Sequence, residues 1–163
     1  MEEVEIKKIT VDKFHEQYIK KFAKAKYPLF SIIEFNLHGS CSRRCAFCPR
    51  VDEEIWPNLD EEFEMNFFEN ILMQLKDLDY TGRLAFSGFS EPFMHSQINE
   101  IIKKIKKTLP KARSEIITNG DYLKTENTKE IFENGLDYLF VSLYTNKRTY
   151  DYLEDLKKNL NLN

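Results

Sequence analysis

Apolar positions along the chain recur with two periods. Four short runs rich in β-branched and aromatic residues stand out: LFSIIEFN at 29–36, GRLAFS at 82–87, RSEIIT at 113–118 and DYLFVSL at 137–143. Each predicts a buried strand. Between them apolar residues return every three to four positions. Phe63, Phe67, Phe68, Ile71, Leu72, Leu75 and Leu78 form one helical stripe, with Asp60 as its expected N-cap, and Ile98, Ile101, Ile102, Ile105 and Leu109 form a second. A third helix is expected after Thr125, ending at Gly135, and a fourth from near Asn146. Ahead of the first strand, Val11, Phe14, Tyr18 and Phe22 repeat at helical spacing. They predict an N-terminal helical extension over 1–28, laid against the sheet of a main domain over 29–163.

Strands that alternate with helices predict right-handed βαβ units, hence an α/β fold with a parallel sheet of about four strands. Ligand sites in such folds gather at the carboxyl ends of the strands. HGSCSRRCAFCPR follows the first strand, GFSEP the second, TNGD the third and YTNKR the fourth. Four polar or thiol-bearing segments are therefore expected along one edge.

Composition narrows the function classes. At 163 residues, with 42% hydrophobic and 31% charged residues, the chain suits a single folded domain rather than a disordered segment. A formal net charge of -3 argues against broad electrostatic binding to nucleic acid. The one basic run, KKIKK at 103–107, falls mostly on the solvent side of the isoleucine stripe. MEEVEIKKIT lacks the apolar region of a signal peptide, and no apolar run approaches the ~20 residues of a membrane span. A cytoplasmic location without membrane attachment is expected.

All three cysteines fall within eight positions, as C-x3-C-x2-C at Cys41, Cys45 and Cys48. On a helix this spacing would place three small residues on one buried face. Gly39 and Pro49 flank the run as loop punctuation, and Arg43, Arg44 and Arg50 are poor company for an apolar core. Two metal readings stay open. Zinc would need a fourth ligand, which His38 can offer; an iron–sulfur cluster on three thiolates would leave one iron open to a small molecule.

The spacing, with the aromatic Phe47 just before the last cysteine, resembles the signature of the radical S-adenosylmethionine (SAM) enzymes. The resemblance implies that Cys41, Cys45 and Cys48 hold a [4Fe-4S] cluster whose open iron is chelated by the amino and carboxylate groups of SAM. Reductive cleavage of SAM would then give methionine and a 5′-deoxyadenosyl radical that abstracts hydrogen from a substrate. Gly88-Phe89-Ser90-Glu91-Pro92 stands where the family has a Gly-Gly-Glu-Pro-like segment, with Phe89 and Ser90 entering the glycine pair. By resemblance its backbone and the Glu91 carboxylate hold the amino group of SAM. Thr118-Asn119-Gly120 and Val141-Ser142-Leu143 are similar to further family segments, the latter near the ribose. The implied SAM set is thus Phe47, Gly88, Phe89, Ser90, Glu91, Asn119 and Ser142, and Tyr144 stands where many relatives have an aspartate.

Read without the family, GFSEP and Asn119-Gly120 also suit ordinary turns, His95 suits a structural place beside the next helix, and Arg43 and Arg44 suit either an anionic substrate group or solvent. The family barrel has six βα units, of which four are legible, so the resemblance implies a partial, TIM-like (βα) barrel. The layout is most similar to members that carry a cysteine-rich auxiliary-cluster (SPASM) domain, which the sequence lacks. A piece of a longer enzyme, a subunit completed by another chain, and a minimal protein covered by its N-terminal helix all suit this length. The implied partners are a one-electron donor such as flavodoxin or ferredoxin and a substrate of unknown class. The alternative is a non-catalytic iron–sulfur or zinc-binding module.

Overall fold

The four β-branched runs form four parallel strands, β1 (Ile32–Phe35), β2 (Arg83–Phe86), β3 (Arg113–Thr118) and β4 (Tyr138–Val141), paired in the order β1-β2-β3-β4. The computed structural model describes residues 30–144 and 147–162. The expected helix over 1–28 lies outside the described residues. The chain divides after Ser31, and the unit Ile32–Asn163 carries every element described below.

Each strand is followed by a helix: α1 (Met65–Asp77), α2 (Ile98–Thr108), α3 (Thr125–Glu133) and α4 (Lys147–Asn159). Side chains alternate across the sheet, so Leu84, Phe86 and Ile116 share one face and are completely buried. Phe68 of α1 reaches this face edge-on to Phe35 at 5.4 Å and lies 6.2 Å from Phe86. The isoleucine stripe of α2 is buried, and Lys103, Lys106 and Lys107 lie in solvent. The other face of the sheet is mixed. Register aligns Glu34, Ala85, Glu115 and Tyr138 across it, and the Arg113 guanidinium lies 3.4 Å from the centre of the Tyr138 ring.

Two helix boundaries show which local rule prevailed. Asp60 does not cap α1; the N-cap is Glu64, four residues later. Residues 59–63 instead run beside 37–39: Phe63 N donates to Leu37 O at 2.9 Å, Gly39 N to Glu61 O at 2.8 Å and Leu59 N to Gly39 O at 3.1 Å. Backbone donors spent on this extended pairing cannot open a helix. At the end of α3, Gly135 takes φ +101°. Its N–H donates to Phe132 O and that of Leu136 to Ile131 O, the two bonds that close a helix through a left-handed residue. Among the described residues no helix is long and apolar enough to cross a membrane.

The core assignment has a direct test. Ile102→Ala should cost ~2–5 kcal/mol of unfolding free energy, against ~0.5 kcal/mol or less for Lys103→Ala beside it, measured by urea unfolding with an unchanged denaturant slope.

Candidate functional site

Parallel strands in sequence order deliver all four following loops to one edge of the sheet. The loop after β1 carries the thiols, and it is organised by a cation. Arg50 is 3% exposed. Its Nη2 donates to Gly39 O at 2.7 Å, its Nη1 to Asn58 Oδ1 at 2.8 Å and to Pro57 O at 3.3 Å, and its Nε to Phe89 O in the next loop. Asn58 passes this order to the first thiol residue, accepting from Cys41 N at 3.3 Å and donating to Cys41 O at 3.4 Å. Burial pulls the Arg50 guanidinium down from its ordinary value, and the charges of Cys41 and Cys48 oppose that shift. An arginine in such a cage stays charged. Cys48 N donates to Cys45 O and Val51 N to Cys48 O, both at 2.9 Å, so the second and third thiols sit on consecutive tight turns.

The loop after β2 is shaped by Gly88, whose φ is +84°. A Cβ there would lie 2.4 Å from Asn36 Oδ1, the atom that accepts Phe89 N at 2.7 Å. Glu91 follows at 1% exposure. Its Oε1 accepts from Thr118 Oγ1 at 2.7 Å and Phe93 N at 3.2 Å, and its Oε2 from Asn119 N at 2.9 Å. Its own N–H donates to Ser40 O at 3.2 Å. One residue thereby joins the loops after β1, β2 and β3. Burial pushes the Glu91 carboxyl above its ordinary value, against the pull of the bonds from Thr118, Asn119 and Phe93.

The loop after β3 clasps the thiol loop from the other side. Asp121 receives Arg43 through Nε at 2.9 Å and through Nη2, and also receives Ser42 Oγ at 2.9 Å. Asn119 Nδ2 donates to Ser42 Oγ at 2.9 Å and to Cys41 Sγ at 3.7 Å. The Arg43 hydrogen bond holds Asp121 below its ordinary value against the effect of burial, and the same bond raises Arg43. After β4, Ser142 N donates to Thr118 O at 2.8 Å. Tyr144 meets Phe47 edge-on at 4.8 Å, bringing the fourth loop to the thiol loop. On the β1 side Trp56 lies 4.6 Å from Phe89, over a cavity of about 600 Å³ that also touches His38 and Arg50.

The radical SAM superfamily model matches residues 35–161, most of the chain. The chain belongs to the radical SAM superfamily. It is 28% identical over 114 residues to the S-adenosyl-L-methionine-dependent 2-deoxy-scyllo-inosamine dehydrogenase of Niallia circulans, covering 70% of this chain and 45% of that one. It is 28% identical over 117 residues to the GTP 3′,8-cyclase of Clostridium perfringens, covering 71% of this chain and 35% of the cyclase. The crystal structure of BtrN in complex with AdoMet and 2-DOIA superposes with a TM-score of 0.70 at 26% identity, over 78% of this chain and 51% of that chain. The chain thus spans about half or less of the length of these relatives. Its four βα units correspond to part of the radical SAM barrel.

The superfamily's cofactors, a [4Fe-4S] cluster and SAM, can be set against the residues present. The donor set fits in kind: three half-buried free thiols share one loop. They do not close on one point, since among the described residues no three Cys, His, Asp or Glu side chains are placed to share an ion. Ligand sets commonly assemble only on binding, so this spacing is compatible with a cluster site. Two buried polar atoms at this edge, Arg43 Nη1 and Ser90 Oγ, have no hydrogen-bond partner. They suit a polar ligand.

Of the residues singled out by sequence, Cys41, Arg43, Glu91 and Asn119 meet in one bonded network, which Ser42 and Asp121 complete, and Phe47 and Ser142 lie along its β4 side. Gly88 and Phe89 shape the turn that leads to Glu91. His38 does not join the thiols: its Nδ1 accepts from Ser40 N at 3.0 Å. His95 is 2% exposed, with Nδ1 accepting from Gln97 N and Nε2 3.0 Å from Phe63 O, which is the structural place expected of it. Asn36, Arg50, Asn58 and Asp121 were not singled out as site residues. Only Arg50 and Asp121 carried a signal, as the ends of the HGSCSRRCAFCPR and TNGD segments.

Gly88→Ala should cost ~1–3 kcal/mol, because the left-handed backbone and the Asn36 contact both oppose a methyl group. The carboxyl shifts give opposite pH signatures. Above the ordinary glutamate range the folded state holds the Glu91 proton longer than the unfolded state does, so this residue's contribution declines as pH rises through its raised value. Asp121 contributes above the ordinary aspartate range and loses that contribution as pH falls through its lowered value. Urea unfolding across pH should show the first slope vanish in Glu91→Gln and the second in Asp121→Asn.

Proposed function

We propose that Cys41, Cys45 and Cys48 hold a [4Fe-4S] cluster, that the GFSEP and TNGD turns bind SAM, and that the chain initiates radical chemistry as an oxidoreductase of the radical SAM type. The observation that supports this most is the join at Glu91, where the thiol loop, the GFSEP turn and the TNGD turn share one carboxyl-centred network. When bound, the cluster supplies one electron and SAM the sulfonium bond that it breaks, yielding a hydrogen-abstracting radical.

The chain's own residues then bind and orient. A carboxylate accepts about four hydrogen bonds. Glu91 uses three within the protein, two at Oε1 and one at Oε2, which leaves Oε2 an unused acceptor position for the ammonium group of SAM. A cation there would also offset the burial that raises this carboxyl. Ser90 Oγ and Arg43 Nη1 offer unused donors for the polar end of the ligand. Phe47, Tyr144 and Ser142 stand on the side where the nucleoside would lie. AdoMet, named in the BtrN complex, is the same molecule as SAM, and this supports the assignment. The dehydrogenase and the cyclase are named for unlike substrates, so what is carried over is radical initiation rather than a substrate. The electron would come from a donor of the flavodoxin or ferredoxin type. Beyond β4 further strands, from the same chain or another, would complete the barrel.

Anaerobic reconstitution with iron and sulfide tests the reading. The expected product is a brown protein that, once reduced, converts SAM to 5′-deoxyadenosine. Cys45→Ala should abolish the colour. Glu91→Gln should keep the colour and weaken SAM binding tenfold or more, the loss of a charge-assisted contact of ~1.5–3 kcal/mol. A colourless chain holding stoichiometric zinc would replace this reading with a non-catalytic metal module.

A further inference from the structure

The Asx-turn accounts for Oδ1 of Asn119 but not for its Nδ2. Its amide orientation is settled by its own partners. Oδ1 accepts from Asp121 N at 2.9 Å, so the opposite side of the amide, Nδ2, must face the thiol loop. There it donates to Ser42 Oγ at 2.9 Å and lies 3.7 Å from Cys41 Sγ, within reach of an N–H···S hydrogen bond. The residue's backbone is pinned as well, through Asn119 N to the buried Glu91 carboxyl at 2.9 Å. Cys41 is held from its other side by the paired bonds of Asn58. Protein bonds thus hold both the donor and the residue that bears the sulfur.

We infer that Asn119 tunes the electron affinity of the metal centre, by donating a side-chain N–H to the sulfur of Cys41. The inference rests on the proposed cluster assignment and concerns this chain's own residue toward that cluster. A donor aimed at a ligand sulfur draws electron density from it and stabilises the more negative, reduced state over the oxidised one. Its presence raises the reduction potential and eases the entry of the electron. Asn119 is on this account a positioning and tuning residue, and no covalent step passes through it.

Potentiometric titration of the reconstituted, SAM-free protein, followed by electron paramagnetic resonance, reads the effect directly. Asn119→Ala should shift the midpoint to a more negative potential. Asn119→Asp, which keeps the acceptor for Asp121 N but points an anionic oxygen at Cys41, should shift it further in the same direction. Ser42→Ala removes the competing acceptor and leaves the N–H···S contact, so it should give no negative shift. If Ser42→Ala moves the midpoint as far as Asn119→Ala does, the clasp rather than the sulfur contact sets the potential, and the inference is overturned.

A measurement on the unmutated protein guards against variants that fail to assemble. With isotopically labelled asparagine, pulsed electron resonance of the reduced centre should show coupling to a nearby asparagine nitrogen, and absence of that coupling overturns the inference. A wild-type chain that takes up no cluster overturns the functional reading and this inference together. A loaded chain whose midpoint ignores Asn119 overturns the inference alone.

Discussion

One carboxyl group, with 1% of its residue's surface exposed, holds the functional edge together. Glu91 takes donors from Thr118 and Asn119 at the end of β3 and from Phe93 in its own turn, while its backbone reaches Ser40 beside the thiols. Removing a buried acceptor of this kind strands each donor at ~1–3 kcal/mol. Loss of this one member therefore unpairs all three donors at once. The parallel sheet makes it possible, since only strands running the same way and paired in chain order set three consecutive loops side by side at one edge.

Arg50 does for the thiol loop what Glu91 does for the strand ends. Both groups are buried charges, and both are satisfied by neutral dipoles: carbonyls and an amide for Arg50, two N–H groups and a hydroxyl for Glu91. A buried charge that loses such partners is strongly destabilising, so each fixes the conformation of the backbone around it. The loop after β1 has no apolar core of its own, and Val51, Ile55 and Leu59 remain exposed. Beside the backbone pairing of 59–63 with 37–39 and the Arg43 clasp, its shape depends on the Arg50 guanidinium, which gathers Gly39, Pro57, Asn58 and Phe89.

The sheet and its helices were legible because period and composition act locally. The isoleucine stripe of α2 and the Gly135 stop of α3 sit where the pattern puts them. Asp60 misled because an N-cap preference is worth ~1 kcal/mol and gives way to long-range pairing, here of 59–63 with 37–39. The thiols were legible from spacing alone. Their supports were not: Asn36 and Gly88 lie 52 positions apart, and Arg43 and Asp121 lie 78 apart. Nothing in a single sequence tells an arginine that will be caged by carbonyls from one that will be solvated. Arg44 and Arg50 stand six positions apart in one loop, and only Arg50 is buried.

This division of labour explains how a half-exposed thiol set can be well ordered. The hydrophobic core under the sheet, centred on Phe35, Phe68 and Phe86, ends where the strands end. Above it, order comes from charge-to-dipole bonds, which are directional and can hold a loop open to a ligand where apolar packing would close it. Cys41 is the point where the two supports meet, through Asn58 from the Arg50 side and Asn119 from the Glu91 side. Cys45 and Cys48 rest on tight turns within the loop itself. The first thiol is thus held by both loops at once, and the other two only by their own turns.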